Sequence, residues 1–312
     1  MRTRRIGDSD LQASVVGLGC NNFGSRCDAA TSRQVIDAAL DQGVTFFDTA
    51  DVYGNRGGSE SILGEALQGR RDAVVVATKF GADMGGPPDQ RRGSRAYLRT
   101  AIAASLRRLR TDRVDLYQLH VPDEGTPIEE TLGALDELVA EGKVRCHGSS
   151  NFTAWQVVDA DWTARTRGLR HFVSAQNEYS LLRRDAEAEL IPACLAHGIG
   201  VIPYFPLASG LLTGKYRRGQ PAPPGTRLAA RPDWITDSAL DTVEALQSYA
   251  AARGRSLLEI AIGGVAARHG VVSVIAGATR PEQVTANVAA GAWEPSPEDL
   301  AALDQALAAV GG

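Results

Sequence analysis

The chain has 312 residues, 33 basic and 37 acidic, with a net charge of −4 and 44% hydrophobic side chains. That is ordinary globular composition, and it leaves no electrostatic footprint for nucleic acid or an anionic membrane. Its four cysteines, Cys20, Cys27, Cys146 and Cys194, have neither C-x-x-C nor zinc-ligand spacing. No disulfide framework and no metal site are therefore expected, and reduced thiols point to a cytoplasmic setting. The basic N-terminus leads into no apolar stretch, and no apolar run reaches the roughly 18 residues of a membrane helix, so neither a secretory leader nor a helical span is predicted.

Short apolar runs alternate with amphipathic segments along the whole chain. Residues 4–6 and 11–14 flank Gly7-Asp8-Ser9-Asp10, a hairpin signal that would plug a barrel floor. The first strand is read at 15–18 and the first helix at 31–42, with Thr31 as its cap and Gly43 at its end. Strands at 44–47, 73–78 and 114–119 are followed by helices at 60–68, 94–110 and 128–141. Strands at 144–148, 172–176 and 200–203 follow, with helices at 153–165, capped by Thr153, and at 184–197. A helix at 256–268, a last strand at 271–275 and a helix at 281–289, opening on Pro281, complete the alternation. Near-continuous apolar runs suit parallel strands buried on both faces. Eight such strands, each followed by a helix, predict an α/β fold of the (β/α)8 TIM barrel type. A doubly wound sheet is the alternative. The N-terminal hairpin and two extra helices, at 238–252 and 297–310, complete a single domain over residues 1–312. The irregular stretch 207–234 is long enough to be functional.

In a barrel the chemistry lies at the C-terminal ends of the strands. That rule brings Asp48 and Tyr53 after the second strand, Lys79 at the end of the third and His120 at the end of the fourth to one rim. Each residue alone is commonplace. Together they have a chemical meaning. A phenol is too weak an acid at neutral pH, with a pKa of about 10. A nearby ammonium lowers that value, and a carboxylate keeps the ammonium charged and fixed. Tyr53 could then pass a proton to a carbonyl oxygen while His120 orients it. The hydride would have to come from a cofactor.

Asp48 with Tyr53 five residues on, then Lys79, then Leu119-His120, resembles the catalytic tetrad of the aldo-keto reductases. Gly17-Leu18-Gly19, Gly148-Ser149-Ser150-Asn151-Phe152, Gln176-Asn177-Glu178-Tyr179, the stretch 204–216 and the stretch 277–287 resemble that family's further motifs, in family order. The resemblance spans nearly the whole chain. It implies reversible reduction of an aldehyde or ketone with a nicotinamide cofactor. Ser150, Asn151 and Gln176 would hold the carboxamide, and Tyr204 would stack on the ring with Phe205 beside it. Gly19, Cys20 and Asn21 of the first loop join the cofactor set. Pro206, Leu207, Ala208, Gly210 and Lys215 would line the pyrophosphate, and Arg227 would meet an adenosine phosphate. Gly277, Thr279, Arg280, Gln283 and Asn287 would hold the adenosine half. An arginine beside a helix that opens at Pro281 makes an anion site, which favours NADPH over NADH.

The sequence also departs from the family. Ala286 stands where a glutamate is commoner, and Cys20 and Asn21 stand where threonine and an apolar or aromatic residue are common. Cys20 reads as a small buried filler. Asn21, Asn22 and Asp123 hint at a polar, sugar-like substrate, with the loops 21–26, 81–92 and 122–126 setting specificity. His147, His171, His197 and His269 read as structural or surface residues, and the basic run 91–95 reads as a solvated loop entering a helix. Gly17-Leu18-Gly19 lacks the third glycine of the dinucleotide fingerprint, and 210–215 is one residue short of a P-loop. Two other readings stay open. One is a nucleotide-sensing binding protein resembling potassium-channel β subunits. The other is a barrel lyase or isomerase that needs no nicotinamide.

Overall fold

The computed structural model describes residues 1–87 and 89–310. Pro88 of the 81–92 loop and the last two residues of the expected domain, Gly311 and Gly312, lie outside the described residues. An antiparallel hairpin, β1 (Thr3–Arg5) and β2 (Gln12–Ser14), opens the chain. Eight parallel strands follow: β3 (Val16–Gly19), β4 (Phe46–Asp48), β5 (Val75–Phe80), β6 (Val114–Leu119), β7 (Val144–Ser150), β8 (Ser174–Gln176), β9 (Gly200–Val201) and β10 (Val274–Gly277). Each lies beside its predecessor, and β10 returns to pair with β3. The chain order never reverses, so the doubly wound alternative is set aside. The curled sheet meets itself where Val272 N–H donates to Val201 O at 2.9 Å and Ile275 N–H to Pro203 O at 3.0 Å. This arrangement is consistent with a (β/α)8 barrel.

The helices around it are α1 (Ala29–Asp41), α2 (Tyr53–Ala66), α3 (Arg95–Leu109), α4 (Ile128–Ala140), α5 (Ala154–Arg167), α6 (Leu190–Ala196), α8 (Leu257–Ala266) and α9 (Pro281–Ala290). Outside the repeat stand α7 (Asp237–Ala251) and α10 (Pro297–Ala308). The structure moves several of the expected boundaries: the third and last strands run later than expected, at Val75–Phe80 and Val274–Gly277, and three helices change too. The cap of α1 is Asp28, whose carboxylate takes the Thr31 N–H at 2.8 Å, so the helix starts before Thr31. The segment 184–197 splits into a 3-10 turn at Asp185–Glu187 and the short α6. α2 is entered earlier than residue 60, through Gly54, Asn55 and Arg56 in the left-handed region at φ 65°, 59° and 66°. A Cβ at Gly54 would collide with the Phe23 carbonyl, so glycine is required there.

Side chains alternate between two cores. Phe46, Val75, Ala77, Leu116, Val173, Ile202, Val272 and Ile275 point into the barrel and meet Ile6, Leu11 and Ala13 of the hairpin. The larger cluster lies between strands and helices. Full burial of Ile6 and Leu11 contributes about 1.5–3 kcal/mol each. Gly7, with φ 51°, lets the hairpin turn approach the Val173 and Gly198 carbonyls too closely for any side chain. The hairpin therefore stoppers the end of the barrel at which the strands begin, as the sequence predicts. The opposite rim, where the strands end, is left to chemistry.

Candidate active site

Parallel register brings the predicted residues together. Asp48 sits across from Ala77 and Gly19, Lys79 across from Gln118, and Ser150 across from Gln176. Lys79 is fully buried, and its Nζ donates to Asp48 Oδ2 at 2.6 Å and to Thr49 O at 2.9 Å. The other oxygen of Asp48 accepts from Gln176 Nε2 at 2.8 Å and Gln118 Nε2 at 3.4 Å. Burial works against the Lys79 ammonium, yet Asp48 and Tyr53 outweigh it, and its pKa stands above the usual lysine value. The Nζ lies 5.0 Å from the centroid of the Tyr53 ring.

The expected depression of the Tyr53 pKa is not found. Burial raises it and outweighs the pull of Lys79, so the phenol holds its proton above the ordinary tyrosine range. His120 is pushed down to about 3, by burial and then by Lys79, which leaves its ring neutral. Its backbone N–H donates to Phe80 O at 2.8 Å, and its Nδ1 has no partner among the described residues. The site therefore holds a protonated phenol, a neutral imidazole with an unspent nitrogen and a fixed ammonium beneath them.

Tyr53, His120 and Asp48 open into a cavity of about 800 Å³, with Lys79 buried behind them. Of the predicted cofactor residues, Gly19, Cys20, Asn21, Ser150, Asn151, Gln176, Tyr204, Phe205, Pro206, Leu207, Gly210, Lys215, Arg227, Gly277, Thr279, Arg280, Gln283 and Asn287 all line it. Ala208 does not. It lies in a run of positive φ, 45° at Ala208 and 57° at Ser209, and Ser209 faces the cavity in its place. Tyr204 Oη donates to Asn151 Oδ1 at 2.7 Å, and Asn151 Nδ2 donates to His120 O at 2.9 Å, which ties Tyr204 and Asn151 to His120. Lys215, Arg227 and Arg280 line the cavity and are joined by Arg26, which the sequence reading had placed only in a specificity loop. Asp48 is the one carboxylate among the described lining residues, and Lys79 already engages it. Arg227 is under strain from burial and from the guanidiniums of Arg26 and Arg231, which lower its pKa. Such a cluster calls for an anionic ligand, and phosphate groups fit the donor set.

Several expectations change here. Asn22 is buried, accepting from Arg227 at 3.0 Å and donating to Ala278 O at 3.3 Å, so it braces three loops. The Asp123 carboxylate is spent on Gly93 N–H and Thr126 Oγ1, each at 2.6 Å. Neither side chain is free for a substrate, so of the three residues Asn21, which lines the cavity, is left to carry that hint of polarity. Cys20 is fully buried with its thiol pKa pushed well up, as befits a filler. Arg91, Arg92 and Arg95 pair with Glu130, Asp83 and Glu137 around the loop and helix start. Sequence reasoning missed Gln118, Thr49 and the brace at Asn22, whose contacts come from residues distant in the chain. Arg26 left one usable signal, a cation on the rim loop that carries Gly19.

Residues 15–308 match the model of the aldo/keto reductase family. The uncharacterized oxidoreductase YrpG of Bacillus subtilis is 39% identical over 89% of this chain and 87% of its own. A probable voltage-gated potassium channel subunit beta of Arabidopsis thaliana is 35% identical over 93% of this chain and 91% of its own. The L-glyceraldehyde 3-phosphate reductase of Escherichia coli O157:H7 is 33% identical over 99% and 93%. Among the described residues no helix is long and apolar enough to cross a membrane. With a family match over nearly its full length and a polar, cation-lined cavity at the barrel rim, the chain belongs to the aldo/keto reductase family and is an NAD(P)H-dependent oxidoreductase.

Proposed function

We propose that the protein reduces an aldehyde or ketone to its alcohol, reversibly, with NADPH as cofactor and Tyr53 as general acid and base. The observation that carries this reading is the meeting of Tyr53, His120 and the buried Lys79–Asp48 pair at one cavity wall. The nicotinamide, when bound, supplies the hydride. Tyr53 gives its proton to the carbonyl oxygen; its raised pKa keeps it protonated until that step but makes it a weak acid, so the transfer depends on Lys79 to stabilise the phenolate as it forms. The neutral His120 ring donates a hydrogen bond to the same oxygen without bringing a charge. Lys79, held by Asp48, stabilises the phenolate left behind.

Ser150, Asn151 and Gln176 would take the carboxamide. Tyr204 would stack on the ring. Lys215, Arg227 and Arg280 would meet the phosphates. That many cations in a cavity with no free carboxylate favours NADPH over NADH. A relative named for reducing L-glyceraldehyde 3-phosphate supports a polar, sugar-like carbonyl substrate.

Replacing Tyr53 by Phe tests the reading. Cofactor binding, followed by quenching of tryptophan fluorescence, is retained, and turnover of simple aldehydes falls by about 10²–10⁴-fold. Undiminished turnover would remove Tyr53 as the acid. The similarity to potassium channel β subunits supports a second reading, tight NADPH binding with little turnover. Steady-state turnover on an aldehyde panel separates the two.

A further inference from the structure

The turn that carries Tyr53 bears a second acid on its outer side, and the reaction above does not use it. Asp51 is 1% exposed. Its N–H donates to Lys79 O at 3.1 Å, which fixes the turn to β5, while its carboxyl Oδ1 has no hydrogen-bond partner among the described residues. Glu60 of α2 is fully buried nearby with both oxygens spent. Thr78 Oγ1 donates to Oε1 at 2.6 Å, and Arg108 Nε donates to Oε2 at 2.6 Å. Tyr117 of β6, fully buried, also presents a hydroxyl without a partner.

The charged and titratable groups facing Asp51 are Glu60 from α2, Arg108 and Tyr97 from α3, Lys79 from β5 and Tyr117 from β6. The nearby arginine, Arg108, is bonded to Glu60 and makes no ion pair with Asp51. Burial, and after it the Glu60 charge, push the Asp51 pKa up to about 7. A neutral acid tolerates an unpartnered oxygen at modest cost. A carboxylate in the same place must draw Arg108 away from Glu60 or pull the turn outward toward water, because an unpaired buried charge costs several times more.

We propose that Asp51 is a positioning residue for Tyr53: its protonated form seats the turn from Asp48 to Tyr53, and its ionised form displaces that turn and the phenol with it. The inference rests on Tyr53 being the acid. It makes the enzyme sensitive to pH near neutrality through a group that never touches substrate. Loss of the Asp51 proton as pH rises lowers kcat.

The test is the pH dependence of kcat for aldehyde reduction at saturating cofactor. The wild type loses activity several-fold as pH rises through neutrality. Asp51→Asn keeps a neutral side chain in the same place, and its kcat stays level over that range. Glu60→Gln removes the charge that raises Asp51, and the falling limb moves to lower pH. A wild-type profile with no limb near neutrality, an Asp51→Asn limb like that of the wild type, or a Glu60→Gln limb that stays in place would each overturn the proposal. Should Asp51→Asn fail to fold, the shift in Glu60→Gln decides alone. Turnover that survives Tyr53→Phe would instead strike the underlying reading, so the two failures are distinguishable.

Discussion

The rings of Tyr53 and His120 meet edge to face, with centroids 5.6 Å apart and planes at 86°. Both rings are shielded, and both pKa values move away from neutrality, the phenol upward and the imidazole down to about 3. Neither member of the pair therefore titrates in the working range. Reduction requires the phenol, which persists until pH passes its raised value. Oxidation requires the phenolate. In a variant carrying Asp51→Asn, reduction is expected to stay level up to pH ~10, the ordinary phenol value, while alcohol oxidation climbs with pH. Rates in the two directions between neutral and alkaline pH check this, and a reduction rate that fell before the oxidation rate rose would contradict it.

Lys79→Met should destabilise the fold as well as silence it. It leaves Asp48 buried with only the two glutamine amides, and breaking a buried pair costs about 3–5 kcal/mol. Denaturant unfolding measures the loss. Adding Asp48→Asn removes the stranded charge, so the double variant should be more stable than Lys79→Met alone and still inactive.

Coenzyme choice is expected to lie with the arginines. Arg280→Ala and Arg227→Ala should each raise the Kd for NADPH by about 10–100-fold, the value of one charge-assisted hydrogen bond or two. The Kd for NADH should change far less in at least one of them. Titration by fluorescence gives both numbers. Equal losses for the two coenzymes would place both arginines on the shared pyrophosphate.

His147 offers a test of stability alone. It is buried with neither ring nitrogen partnered among the described residues, and burial lowers its pKa to about 4. The unfolded chain binds a proton near the ordinary value, about 6.5, that the folded chain refuses. Folded stability is therefore full above that pH and drains away as pH falls toward 4, by about 3 kcal/mol at most. His147→Leu should unfold at the same denaturant concentration as the wild type or a higher one at pH 7, and lose less on acidification. An identical acid dependence in both proteins would rule this out.

Much of this was readable from the chain. Runs such as 74–77 are apolar on both faces because helices cover one, at Val74 and Val76, and the barrel interior the other, at Val75 and Ala77; strands such as β6 keep most of that continuity despite Asp115 and Gln118. Asp48, Lys79 and His120 could be placed because a strand end is a position in space as well as in sequence. Thr31 reads as a cap because threonine and aspartate both accept from a helix N-terminus, and only geometry shows that Asp28 does so. The left-handed entry to α2 was illegible because Asn55 and Arg56 are held there by tertiary contact, including Asn55 Nδ2 donating to Gly24 O at 3.3 Å. The Tyr53 pKa departs from expectation for a related reason. A neighbouring charge can be inferred from spacing, whereas the depth of burial that outweighs it cannot.

A barrel stoppered at one end is a blind well. With Ile6, Leu11 and Ala13 filling the base, the cavity among the described residues opens at the rim that bears Tyr53, and on the proposed function both coenzyme and substrate would pass through it. The two ligands would then share one threshold, and whichever lies deeper would enter first and leave last. The sealed base, free of any such duty, can drift in sequence under the demands of packing alone.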